Sequence, residues 1–146
     1  GPWSKKKSTH LIKNICENYL KKKPINIFGE NYPSKDGTAI RDYIHVVDLA
    51  EAHILAANYL IKTQKNNVFN CGYGRGYTVK EVVNNFNKIY RNKLTYVYKD
   101  RREGDPFKSV ADVSKIKKIL KWKPKLDSIE KILKSQLKWE KKINGK

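Results

Sequence analysis

No stretch of this sequence is long and apolar enough to cross a bilayer. The most apolar segment, Ala50 to Leu60, is broken by Glu51, His53 and Asn58, where a transmembrane helix needs roughly 20 consecutive apolar residues. No apolar core of a secretory signal follows the charged start at Lys5–Lys7. Cysteine is scarce. Cys16 and Cys71 lie far apart, inside segments expected to be regular, which excludes a disulfide framework or a metal-binding spacing. The pair reads as two buried free thiols in a reducing, cytoplasmic setting. Internal repeats and long flexible linkers are lacking as well. At 146 residues the chain has the size of one domain with a real core.

Acidic residues are in deficit: 14 against 32 Lys and Arg, a formal net charge of +18. Such an excess invites a nucleic-acid reading. Two features argue against specific recognition. Lysines outnumber arginines 27 to 5, and they are spread along the chain rather than gathered on one face. Weak, salt-sensitive adhesion to polyanions is expected whatever the function.

Periodicity predicts an α/β domain, helix-rich, with few and short strands. Leu11, Ile12, Ile15 and Tyr19 have helical spacing within Thr9–Leu20, and Ile25–Phe28 reads as a strand behind Pro24. A loop carrying Pro33 and Asp36-Gly37 follows. Tyr43–Val46 reads as a brief strand. A helix from Asp48 to about Lys62 has apolar residues on more than one face and is expected to be well buried, with His53 in the core. Val68–Cys71 is expected as a strand before the turn Gly72-Tyr73-Gly74-Arg75-Gly76. Thr78 then offers an N-cap with Glu81 completing a capping box, and Val79, Val82, Val83, Phe86 and Ile89 form that helix's core stripe. Leu94–Tyr98 reads as a strand, Lys99–Ser109 as irregular, and Ser114–Leu120 as a short helix. The last helix starts near Asp127. It is expected to bury Ile129, Leu133, Gln136 or Leu137, and Ile143, with Lys and Glu facing outward.

From Ile27 to His53 the chain reads IFGENYPSKDGTAIRDYIHVVDLAEAH. This block strongly resembles the C-terminal half of UDP-glucose 4-epimerases, which are extended short-chain dehydrogenase/reductase enzymes. FNCGYGRGYTVKEV (Phe69–Val82), RREGDP (Arg101–Pro106), Ala111-Asp112 with Lys115, and LKWKPK (Leu120–Lys125) follow in the family's order. STHLI (Ser8–Ile12) precedes them. The resemblance runs from about Thr9 to about Lys142. It implies a UDP-sugar-binding domain over residues 9–143, with residues 1–8 a tag-removal scar (Gly1-Pro2) and a disordered basic start.

The resemblance further implies a 4-epimerase that interconverts UDP-glucose and UDP-galactose through a 4-keto intermediate, with NAD as cofactor. Of the complete enzyme, this chain would supply only the anchoring of the UDP-sugar. The NAD-binding half and the catalytic Tyr/Lys pair are missing, so the chain alone is expected to be inactive. A homodimer is possible through the surface the missing half would cover. The rival readings are a non-catalytic nucleotide-sugar-binding fragment and a basic nucleic-acid-binding domain.

Each part of a UDP-sugar asks for different chemistry. Guanidinium forks suit a diphosphate, and the resemblance puts Arg41 and Arg102 there; a salt bridge such as Arg41 with Asp42 is the plainer alternative. Asp105 matches the carboxylate that accepts from the ribose hydroxyls. Asn26 and Phe28, two apart on one strand, share a face and match the uracil pocket. Val79, His10 and Leu11 match positions that reach the nucleotide. Ser109 matches a position where side-chain size sets how large a sugar fits, and a small residue resembles members that accept UDP-GlcNAc and UDP-GalNAc. Asp42, Tyr43, His45 and Asp48 read as structural support, and Arg75 and Arg101 as structural or solvated. No metal ligand or catalytic residue is assigned.

Two signals mislead. Tyr19 and Lys23 make a Tyr-x3-Lys pair in the wrong part of the pattern, a short motif that chance supplies. Gly72-x-Gly74-x-Gly76 mimics a dinucleotide fingerprint, but Tyr77 stands where the third glycine belongs and no acid-bearing strand follows.

Overall fold

The computed structural model describes residues 10–91 and 94–145; the expected basic start at 1–8 lies outside them. Among the described residues five helices and five short strands follow in the order α1 (Leu11–Leu20), β1 (Ile25–Phe28), β2 (Ile40–Arg41), α2 (Val46–Thr63), β3 (Tyr77–Thr78), α3 (Val79–Tyr90), β4 (Tyr96–Lys99), β5 (Lys108–Ser109), α4 (Ser114–Leu120) and α5 (Ile129–Ile143). β1 pairs with β4 in parallel, Ile25 opposite Tyr96 and Phe28 opposite Lys99. β2 is the middle of a three-stranded sheet, antiparallel to β3 and parallel to β5. This is the helix-rich α/β domain with few short strands that the sequence predicts.

The main core lies between α1, α3, α5 and the inner face of β1. Ile15 and Cys16 of α1, Ile25 and Ile27 of β1, Val82, Val83 and Phe86 of α3, and Leu133 and Leu137 of α5 are all buried there. Burying each large apolar side chain contributes about 1.5–3 kcal/mol. The α3 stripe works because 82, 83 and 86 fall on one side of a 3.6-residue period, and Thr78 and Glu81 form the expected capping box at its start. A second cluster joins Ala52 of α2, Tyr73, Val113, Ile116, Leu120, Trp122 and Ile132.

Several expectations need correction. Tyr43–Val46 is not a strand: β2 ends at Arg41, Asp42 N–H makes a last bond to Ser109 O (3.1 Å), and His45 becomes the N-cap of α2, its Nδ1 accepting from Val47 N–H. Val68–Cys71 is not a strand either. Val68 is 78% exposed, its N–H is taken by the Asn67 side chain (2.9 Å), and such local bonds compete with a ladder. β5 gives regular structure to the end of the segment expected to be irregular. The described part of α1 starts at Leu11, and β4 begins at Tyr96, two residues after the expected strand start. On α5, Ile143 is 43% exposed while Glu140, expected outside, is 1% exposed. Its carboxylate accepts from Gln136 Nε2 (2.8 Å).

The largest correction concerns α2. Only Asp48 and Ala52 are buried on it, whereas Val46, Val47, Ile54, Leu60 and Ile61 are exposed, Val46 and Ile61 by about seven-tenths. Leu55, Ala56 and Tyr59 pack on the second cluster; the opposite side, from Val46 through Ile54 to Ile61, is an open apolar face. His53 sits on that open side, its Nδ1 bonded to Leu49 O of its own helix (2.8 Å). Cys71 is half-buried rather than buried.

Candidate functional site

The pleat of β1 creates the site. Ile25 and Ile27 point into the core, so Asn26 and Phe28 face the other way, into a cleft of about 1340 Å³. His10 and Leu11 at the start of α1, Arg41 on β2, Val79 at the start of α3, and Arg102 and Asp105 on the segment after β4 line the same cleft. Residues separated by up to 95 positions thus converge on one cleft (His10 to Asp105).

Two contacts organise the basic end. The guanidinium of Arg102 lies over the ring of Phe28, 3.8 Å from its centre, an arrangement that orders the arginine while leaving its N–H edge to other partners. Arg41 pairs with Asp105 through Nη2, and also donates to Pro106 O (2.8 Å) and Ile40 O (2.6 Å). The salt bridge considered for Arg41 therefore exists, with Asp105 rather than Asp42 as the partner. It ties β2 to the segment carrying Arg102. The phenol of Tyr43 lines the cleft as well, and burial pushes its pKa above the ordinary value, outweighing nearby Arg41.

The neighbouring acids are structural. Asp42 accepts from the backbone N–H groups of Tyr73 (3.0 Å), Gly74 (2.9 Å) and Ala111 (3.3 Å). Asp48 accepts from the Tyr73 hydroxyl (2.6 Å) and from the N–H groups of Lys125 (3.1 Å) and Leu126 (2.9 Å). Burial alone would raise the Asp48 pKa; those donors and His45 together hold it below the usual carboxylate range. Asp36 is lowered in the same way: burial is outweighed by Thr78 and Thr38, with Lys80 adding to them. Its bonds to both threonines fasten loop 29–38 to the start of α3. Arg75 pairs with Asp127 (2.8 Å) and lies over Tyr77.

Ser109 is not in this cleft. It lines a separate recess of about 520 Å³ with Arg41, Asp42, Asn70, Cys71 and Asp112. Because Ser109 stands opposite Arg41 in the β2–β5 register, the recess adjoins the cleft across that arginine.

The Gly72–Gly76 turn does not fit a dinucleotide pyrophosphate. A Cβ on Gly72 would come within 2.4 Å of the Asp42 carboxylate, and one on Gly76 within 2.4 Å of Ile40. The missing side chains make room for the chain's own residues, and the N–H groups of Tyr73 and Gly74 already bind Asp42. Tyr19 of the Tyr-x3-Lys pair is partly buried and packs edge-on against Phe86 of the main core (5.1 Å between ring centres). Among the described residues no group of three or more His, Cys, Asp or Glu is placed to hold a metal ion, and no helix is long and apolar enough to cross a membrane.

Known proteins match both the sequence and this architecture. A family model described as NAD dependent epimerase/dehydratase family matches residues 1–72. The UDP-glucose 4-epimerase of Azospirillum brasilense is 44% identical over 137 residues, 93% of this chain and 39% of that enzyme. The UDP-Glc/GlcNAc 4-epimerase of Campylobacter jejuni superposes with a TM-score of 0.80 at 42% identity, covering 96% of this chain and 43% of that one. The UDP-glucose 4-epimerase of Bifidobacterium longum, solved with NAD+ and UDP, gives 0.84 at 34% identity, covering 94% and 41%. The chain spans about two-fifths of the length of the relatives it matches. In sequence and in fold it belongs with the UDP-glucose 4-epimerases of the NAD-dependent epimerase family.

Proposed function

We propose that this chain anchors the UDP portion of a UDP-hexose in the cleft beside β1, as the substrate lobe of a 4-epimerase. The observation that carries this reading is the convergence of Asn26, Phe28, Arg41, Arg102 and Asp105 on one cleft. Uracil packs beside Phe28 with its edge against the backbone near Asn26, and Val79, His10 and Leu11 close the uridine end. Arg102 and the free N–H groups of Arg41 take the diphosphate, while Asp105 accepts from the ribose hydroxyls. Arg41 holds Asp105 in place. A fixed uridine diphosphate with a loosely held hexose lets the sugar turn over between the two faces presented to the cofactor. In the whole enzyme NAD would supply the hydride chemistry at C4, held by the part of the relatives' length that this chain does not match.

The open apolar face of α2 is where that half packs. The family model ends at residue 72 and so contains all of α2, while more than half of each relative's length has no counterpart here. The intact enzyme also accepts UDP-GlcNAc and UDP-GalNAc. Ser109 is short, exposed and beside Arg41, and the Campylobacter jejuni relative is a UDP-Glc/GlcNAc enzyme. A full-length enzyme that converts UDP-galactose and leaves UDP-GlcNAc untouched would contradict that range.

Isothermal titration of UDP into the chain tests the anchoring. Saturable one-to-one binding, weakened at least about tenfold by Arg102→Ala through loss of a charge-assisted pair, is expected. No binding, or binding that an RNA oligonucleotide matches and UDP does not displace, would overturn it.

A further inference from the structure

Two successive arginines, Arg101 and Arg102, lie on two aromatic rings flanking Gly29. Arg102 covers Phe28 at 3.8 Å, and Arg101 covers Tyr32 at 3.9 Å from the ring centre. Arg101 also donates through Nη2 to the carbonyl of Asn31. Gly29 makes the double stack possible. Its φ is +84°, and a Cβ there would come within 2.5 Å of the Tyr32 ring and 2.8 Å of Arg101 Cγ. Its N–H closes the β1–β4 ladder on Lys99 O (2.8 Å), which sets Arg101 two residues beyond the last rung.

The turn that follows has little else to hold it. Asp105 N–H reaches back to Arg102 O (3.2 Å), and Arg41 grips Asp105 at the far end. Gly104 has φ +73° and open space around it. Arg102 itself is exposed apart from its stack. The near end of the turn is fixed by Arg101 on Tyr32. Tyr32 is 5% exposed, and its hydroxyl is buried with no hydrogen-bond partner in the structure. Burying a hydroxyl without a partner is unfavourable, so at this position it is the ring that contributes, as the surface on which Arg101 lies.

We infer that Arg101 and Tyr32 form a clamp that positions Arg102 for the diphosphate, so that both act on nucleotide affinity through Arg102 without touching the nucleotide. This rests on the UDP reading of the cleft. A planar guanidinium is required, because a lysine ammonium keeps the charge but cannot lie flat on the ring while donating to Asn31.

The test is a double-mutant cycle read by isothermal titration with UDP, using the whole chain. Arg101 is exposed, so its replacement leaves the core intact, and melting curves check this. Arg101→Ala should weaken UDP binding about tenfold, as befits loss of an ordered cation–π contact, and Arg101→Lys should not restore it. In an Arg102→Lys background the same Arg101→Ala change should cost less than about twofold, since groups acting through one another are not additive. Tyr32→Phe should bind UDP like the parent chain, whereas Tyr32→Leu should reproduce Arg101→Ala. Additive losses, or full affinity in Arg101→Ala while Arg102→Lys is weakened, would overturn the clamp and leave the UDP site standing. Absence of UDP binding by the parent chain, or indifference to Arg102→Lys, would overturn the site and the clamp with it.

Discussion

Helices α2 and α3 are opposites in this chain. The α3 helix carries as many polar as apolar residues, yet Val82, Val83 and Phe86 are fully buried and its start is closed by a capping box. The α2 helix is richer in apolar residues and half as long again, yet buries only Asp48 and Ala52. Apolar content sets what a helix could bury; the neighbours decide what it does bury. The core of α3 is complete within this chain, whereas α2 is finished on one side only, and that side depends as much on a buried carboxylate as on packing. The open side is the region where the family's unmatched half is proposed to sit.

The comparison can be broken first at its strongest point. Phe86 is fully buried and packs against Tyr19 and Tyr90, so Phe86→Ala should destabilise the chain by about 3–5 kcal/mol, read by denaturant unfolding. On α2 the corresponding loss is polar. Asp48→Ala would strand the Tyr73 hydroxyl and the N–H groups of Lys125 and Leu126, at about 3 kcal/mol for buried donors left unpaired, with Asp48→Asn recovering part of it.

Acid should reach the same contacts. Asp48, Asp36 and Glu81 all titrate below their ordinary values. For each group, burial is the largest influence and opposes ionisation, and the bonds described above outweigh it; for Glu81 they come from Lys35 and Thr78. A carboxylate lowered in the folded state contributes stability that is fully present above its unfolded pKa, about 4, and is lost as pH falls through the folded value. The melting temperature should therefore drop below about pH 4, and less steeply in Asp48→Asn.

Smaller effects sharpen the contrast. Thr78→Ala removes the α3 cap and a partner of Asp36, for about 1–2 kcal/mol. Ile54→Ala, on the open face of α2 with Ile54 62% exposed, should change stability by less than about 0.5 kcal/mol. Ile54→Lys should instead reduce self-association, measured by sedimentation, because an uncovered apolar face drives pairing between copies. A large stability loss in Ile54→Ala would mean that α2 is already covered within the chain.

Much of this was legible in the sequence where the signal was local. The capping box at Thr78 and Glu81, the α3 stripe, β1 and α4 follow from periodicity and caps, and alternation on β1 was enough to put Asn26 and Phe28 on one face. What sequence could not carry was partnership. Nothing local says that Val68–Cys71 lacks a neighbouring strand, that Glu140 turns inward to meet Gln136, or that Arg41 reaches Asp105 rather than Asp42. Of the residues the family blocks pick out, His10, Leu11, Arg41, Val79, Arg102 and Asp105 line one cleft, whereas Ser109 lines an adjoining recess. Arg101 and Tyr32 gave no local signal beyond an arginine pair in a lysine-rich chain, because the ring and the guanidinium that meet are 69 positions apart.

The central claim is that uridine diphosphate sits along β1, between the start of α1 and the Arg102–Asp105 turn. Titrating UDP into the 15N-labelled chain and following amide shifts tests it most directly. The account predicts saturable shifts concentrated at Leu11, Asn26–Phe28, Arg41, Val79 and Arg102–Asp105, with the open face of α2 unmoved. Shifts absent from β1, or spread over the lysine-rich surface and abolished by moderate salt, would contradict it.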